Sequence, residues 1–116
     1  MKRRLGLQTA AALDRILAVL ADPHRRQVID LLRERPRRAS ELAEEAGLSP
    51  PAMSRHLRSL RKIGLVEESH PAFDARVRIY SLRPATMAPL KAWLEETERL
   101  WARQLAAFKA HLERGS

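Results

Sequence analysis

Cysteine is absent from the chain. That excludes disulfides, thiolate metal sites and thiol redox chemistry. Aromatic residues make up 4% of the sequence and glycine occurs four times. Neither glycine-rich phosphate loops nor a grouping of nucleophile, base and oxyanion donor can be found, so an enzyme is not expected. Long apolar runs are missing too. The stretch after Met1-Lys2-Arg3-Arg4 is interrupted by Gln8 and Thr9 and ended by Asp14-Arg15, short of the roughly 20 apolar residues that span a bilayer. The expectation is a cytoplasmic protein with no membrane partner. Acid is scarce relative to base: 14 Asp and Glu stand against 22 Lys and Arg, a formal charge of +8.

A domain this basic calls for an anionic partner: nucleic acid, an acidic protein surface or an anionic membrane. Its cations are mostly arginine, with lysine only at Lys2, Lys62, Lys91 and Lys109. Arginine forks onto phosphates and guanine edges in a way lysine cannot. The 116 residues predict a single domain over 1–116 with a modest core. A dimer would let so small a chain bury more apolar surface.

Leu13, Ile16, Leu17 and Leu20 recur at helical spacing, predicting a helix over about 8–20. Asp22-Pro23 supplies an N-cap and a proline at the first helical position. The second helix then runs to about Arg33, burying Val28, Ile29, Leu31 and Leu32, and Pro36 closes it. Ser40-Glu41 opens a short helix over 41–46 with Leu42, Ala43 and Ala46 inward. Gly47 suits the left-handed residue that ends a helix. Ser49-Pro50 caps a fourth helix that ends at Ile63-Gly64, with Met53, Leu57 and Leu60 as its core face.

Leu65 to Ser69 and Arg76 to Leu82 read as two strands of a hairpin whose loop has about five or six residues. Arg37 to Ala39 can add a short third strand. Pro84 ends the hairpin. A long helix over about 86–113 follows, on the order of 40 Å at 1.5 Å per residue. Its stripe includes Leu90, Trp93, Leu94, Leu100, Trp101, Leu105, Phe108 and Leu112. The fold class is therefore mainly α with a small β-hairpin: a winged helix-turn-helix of about five helices and a two- to three-stranded wing.

The fourth helix carries the functional expectation. Ser54, Arg55, Arg58, Ser59, Arg61 and Lys62 lie on it, and no acid occurs from Ser49 to Ile63. An apolar face locks such a helix onto the domain, and a cationic face enters the major groove, roughly 12 Å wide. Double-stranded DNA is the expected partner. The candidate DNA-binding residues are Ser49, Pro51, Ser54, Arg55, His56, Arg58, Ser59 and Arg61, with Arg76 and Arg78 from one face of a wing strand. Arg55 is assigned to base edges, Ser54 and Ser49 lie nearest the backbone, and the remaining arginines serve mainly phosphates. Glu67, Glu68 and Asp74 are placed to pair with the wing arginines. His56 either orients the helix or touches a phosphate; His24 is read as a surface residue, His70 as a turn residue and His111 as an exposed helix residue. A competing reading keeps the fold but makes it a protein- or RNA-binding module that does not read duplex DNA. Promoter DNA separates the two readings.

Ala21-Asp22-Pro23-His24-Arg25-Arg26, Glu41-Leu42-Ala43, Gly47-Leu48-Ser49, Ser54-Arg55-His56-Leu57, Gly64-Leu65-Val66 and Arg78-Ile79-Tyr80-Ser81-Leu82 together resemble the ArsR family of bacterial repressors over about residues 13–112. The resemblance implies a homodimer joined by its first and last helices, repressing from a palindromic operator. Leu13, Leu17, Trp93, Leu94, Trp101, Leu105 and Phe108 are the expected dimerisation residues. Space between paired long helices, around Trp93 and Trp101, also admits an unknown small-molecule effector. The paired cysteines of the family's thiolate sensors fall on Arg38 and Ser40, which are not soft ligands. In the last helix His111 is the sole histidine. The chain therefore resembles a cysteine-free, non-thiolate-sensing member, with no metal site and no cofactor expected.

Overall fold

Asp22 and Ser49 set the two helices that frame the site. Asp22 accepts hydrogen bonds from the His24 and Arg25 amides at 2.8 and 3.3 Å, and Ser49 Oγ accepts from the Ala52 amide at 3.3 Å. Each acceptor satisfies N–H groups that the first helical turn leaves unpaired. Proline follows both caps, where its missing N–H costs nothing. A computed structural model describes residues 2–115, with side chains from 10 to 115; the outermost residues of the expected 1–116 domain lie outside it.

The elements in order are α1 (Lys2–Leu20), α2 (Pro23–Glu34), β1 (Arg37–Arg38), α3 (Ala39–Ala46), α4 (Pro50–Lys62), β2 (Val66–Ser69), β3 (Ile79–Leu82), a 3-10 turn (Pro84–Met87) and α5 (Ala88–Arg114). The strands form one antiparallel sheet in the order β1-β3-β2. This is a winged helix-turn-helix, as the sequence predicts.

The core gathers one face from each element. Val28 and Leu32 of α2, Leu42 of α3, and Met53, Leu57 and Leu60 of α4 meet Leu65, Val66 and Tyr80. Each aliphatic side chain buried there contributes about 1.5–3 kcal/mol. Leu48 packs on this cluster from the turn between α3 and α4, so the turn is fixed by burial as well as by backbone geometry. Gly47 adopts φ +65°, and the amides of Gly47 and Leu48 close α3 on the carbonyls of Glu44 and Ala43. A Cβ there would meet nothing within 4 Å; the left-handed backbone, not crowding, requires glycine.

Several boundaries move from their expected places. α1 begins at Lys2 rather than near residue 8. α3 begins at Ala39 rather than Glu41, because the Glu41 carboxylate reaches back to the Arg38 amide at 3.3 Å and extends the first turn. α5 begins at Ala88, after the 3-10 turn, rather than near Thr86. The largest change is in the wing, where the strand expected over 76–82 shortens to Ile79–Leu82 and residues 70–78 form the loop. Asp74 causes this. Its carboxylate accepts from the Arg76 amide at 2.9 Å, and its backbone carbonyl accepts from Val77. A short polar side chain that captures nearby amides offers an alternative to the ladder. Pairing therefore stops at Ser69 opposite Ile79.

Arg37 is an unexpected core residue. It is 7% exposed and sits opposite Tyr80 in the sheet. Its guanidinium reaches Glu34 at 2.6 Å, so the buried charge has an acid partner whose own side chain stays in water.

Candidate nucleic-acid interface

The outward face of α4 is cationic because Met53, Leu57 and Leu60 take the inward face. Arg55 and Arg58 are exposed, and among the described residues neither guanidinium is paired with an acid. Pro51 is exposed in the first turn. Ser59 is half-buried and donates back to the Arg55 carbonyl at 3.2 Å, so its hydroxyl proton is committed within the helix. Ser49 is exposed, with its oxygen used as the cap.

A cleft of about 560 Å³ opens along this face, lined by Arg25, Ala52, Arg55, His56, Arg58 and Ser59. Arg25 is an addition that the sequence reading missed. Its Nε donates to His56 Nδ1 at 3.3 Å, which leaves the proton of a neutral imidazole on Nε2. His24 is half-buried rather than a plain surface residue, its ring 5.6 Å from that of His56. A signal for these residues exists in the sequence: Arg25 and Arg26 sit at the positive end of α2, where the helix dipole disfavours cations. Arg26 resolves its part by donating to the carbonyls of Leu20 and Ala21 at the end of α1. Arg25 instead bridges α1 and α4, with a second bond to the Val19 carbonyl at 3.5 Å.

The wing is tied to α4 by side chains. Arg78 reaches the Ser54 hydroxyl at 3.3 Å and the Tyr80 hydroxyl at 3.5 Å. Tyr80 donates to Glu68 at 2.5 Å, and Glu68 also meets Arg61 at 3.4 Å and His70 at 3.2 Å. Glu68 is thus the acid at the centre of a cationic surface. The Tyr80 hydrogen bond, helped by the charges of Arg61, His70 and Arg78, holds its carboxyl below the usual carboxylate range despite partial burial. Burial and the same hydrogen bond push the Tyr80 phenol up to about 12. His70 belongs to the loop as expected, with Nδ1 3.0 Å from the Val77 carbonyl.

The expected DNA-facing residues therefore divide. Arg55 and Arg58 project freely from α4. Ser54, Arg61 and Arg78 are engaged in the wing-to-helix network. Arg76 and Arg78 do not share a strand face, because both precede β3. Arg76 lies in the loop, held by Asp74 through its amide and its Nε at 3.2 Å. That contact keeps the Asp74 carboxyl below its ordinary range. Glu67 turns to Arg83, at 3.8 Å, rather than to a wing-tip arginine. No helix among the described residues is long and apolar enough to cross a membrane.

A capped helix with an acid-free outer face, a glycine turn before it and a bonded wing after it define a DNA-binding winged helix-turn-helix. Residues 22–68, from the cap of α2 into β2, match the bacterial regulatory protein family arsR. The chain is 34% identical over 102 residues to the HTH-type transcriptional regulator Rv2034 of Mycobacterium tuberculosis, covering 88% of this chain and 90% of that protein. It is 36% identical over 86 residues to the HTH-type transcriptional regulator NmtR of the same organism, covering 74% of this chain and 69% of that one. An ArsR-like transcriptional regulator from Rhodococcus sp. RHA1 superposes with a TM-score of 0.69 at 31% identity, over 88% of this chain and 93% of that structure. The chain belongs to the ArsR family of DNA-binding transcriptional regulators, and these relatives are regulators rather than enzymes.

Proposed function

We propose that the chain is a homodimeric repressor, a single domain acting in the cytoplasm on a palindromic operator. Each protomer places α4 in the major groove and its wing beside the flanking backbone. Arg55 reads a base edge, Arg58 serves a phosphate, as do Arg61 and Arg76 once duplex replaces their present partners, and Arg78 serves one with its remaining guanidinium donors while keeping its bonds to Ser54 and Tyr80. Ser49, Pro51, Ser54, His56 and Ser59 line the approach to the groove. The observation that carries this reading is the hydrogen-bonded link from Arg78 to Ser54 and Tyr80. It holds helix and wing in one fixed relation, which groove docking needs and loose attraction to a polyanion does not.

Dimerisation is supported by α5. Trp93 is 46% exposed, Trp101 63% and Phe108 61%, with Leu94 and Leu105 similarly open. α1 packs beside α5, with Leu17 exposed and Leu13 half-buried. Contiguous apolar surface of this kind marks an association site, and pairing two copies covers it. A small-molecule effector would bind between the paired helices near Trp93 and Trp101. Titration of the chain into its own promoter DNA tests the proposal. Saturable binding of two chains per site supports it; binding that follows only polyanion charge contradicts it and favours the protein- or RNA-binding module.

A further inference from the structure

A second cleft lies beside the α4 face, at the base of the wing. Its volume is about 280 Å³, and Arg38, Ser40, Pro50, Arg76 and Arg78 line it. Three arginines border it from separate parts of the chain: the end of β1, the wing loop and the entrance to β3. Arg38 is exposed and forms no ion pair among the described residues. The Arg78 guanidinium is bonded to the Ser54 and Tyr80 hydroxyls and forms no ion pair within 4 Å among the described residues, although Glu68 lies near enough to feel its charge. Arg76 meets Asp74 through Nε, so its two terminal nitrogens can turn to another acceptor. The backbone around the cleft is fixed, since the Ala39 amide donates to the Arg78 carbonyl at 3.1 Å and β1 pairs with β3.

Arginines bordering one cleft with a single exposed, acid-free member among them favour an anion, which accepts charged hydrogen bonds from several donors at once. Pro50 at the start of α4 forms one wall, so the cleft is continuous with the helix read above as entering the groove. From this geometry we infer that the cleft seats one phosphodiester of the DNA backbone in each half-site. Arg38 is its principal unassigned ligand, and the Ser40 hydroxyl is a second donor. The inference rests on the operator reading and adds a contact from the segment between α2 and α3. Its role is to fix the register of α4, since a phosphate contact positions the protein without itself reading sequence.

The test uses the full chain and operator duplexes that carry one neutral methylphosphonate at each backbone position in turn. Wild type should lose on the order of tenfold in affinity at one position in each half-site, as expected for a charged hydrogen bond. In Arg38→Ala that position should become silent while the others keep their cost. The slope of log affinity against log salt should flatten by about 0.9 per half-site, and Arg38→Lys should retain most of the slope. An Arg38→Ala chain with wild-type slope and an unchanged methylphosphonate profile overturns the phosphate seat alone. So does an Arg38→Ala chain that loses binding of inorganic phosphate but keeps full DNA affinity, because the cleft would then serve a free anion. Failure of wild type to discriminate among duplexes overturns the operator reading and the seat together.

Discussion

Replacing Glu68 by glutamine should weaken the fold and strengthen DNA binding at the same time. The two effects have separate causes. For stability, the substitution keeps the shape but removes the charge that accepts from Tyr80 at 2.5 Å. A hydrogen bond to a charged group contributes about 1.5–3 kcal/mol and a neutral one about 0.5–1.5, so the loss is about 1 kcal/mol. Arg61 adds little to this, because it is more than half exposed and such pairs contribute about 0.2–1 kcal/mol. For binding, the change removes a negative charge from a surface that must approach phosphates and releases Arg61. One new phosphate contact steepens the salt slope by about 0.9 per half-site. Urea unfolding reads the first effect, and fluorescence anisotropy from low to moderate salt reads the second. Affinity for unrelated duplex should rise more than affinity for the operator, since the freed cation touches backbone. A Glu68→Gln chain with an unchanged or shallower slope would refute the view that Glu68 restrains the cationic face.

Tyr80 gives a pH prediction of definite sign. Its folded pKa is raised to about 12 from 10.0, so the unfolded chain releases the phenolic proton first. Its contribution is complete below pH 10 and is lost as pH climbs through 12; Tyr80→Phe should remove that part of the alkaline decline in the urea midpoint. Arg55→Ala should relax sequence preference at one operator position, whereas Arg78→Ala should weaken all sequences about equally, which competition with mutated operators will distinguish. Leu57→Ala should cost about 2–5 kcal/mol in denaturant unfolding, because Leu57 is 1% exposed at the centre of the core face of α4.

What the sequence discloses is largely what is decided within one turn of chain. Asp22-Pro23, Gly47 and Ser49-Pro50 each fix a boundary through bonds spanning a few residues, and the structure keeps all three. The 4-and-3 spacing of Met53, Leu57 and Leu60 likewise determines which face of α4 is free. Long-range partners are another matter. The bonds from Arg78 to Ser54 and from Arg25 to His56 span 24 and 31 residues, and no periodicity reports them. Alternation between Arg76 and Leu82 predicts a strand, yet the Asp74 carboxylate takes the Arg76 amide and its carbonyl takes that of Val77. Arg37 went unnoticed because a buried arginine looks like any other until its acid partner is located in space. Arg38, beside it, reads in the sequence as part of a short strand, and its place beside Arg76 and Arg78 depends on the pairing of β1 with β3.

The most direct measurement of the central claim is selection of binding sites from random duplexes by the purified chain. The expected result is an inverted repeat whose half-sites are centred about one helical turn apart, 10–10.5 base pairs, with the preference at one position of each half-site relaxed when Arg55 is replaced by alanine. Recovery of sequences with no shared motif, bound no better than any polyanion of equal charge, would contradict it.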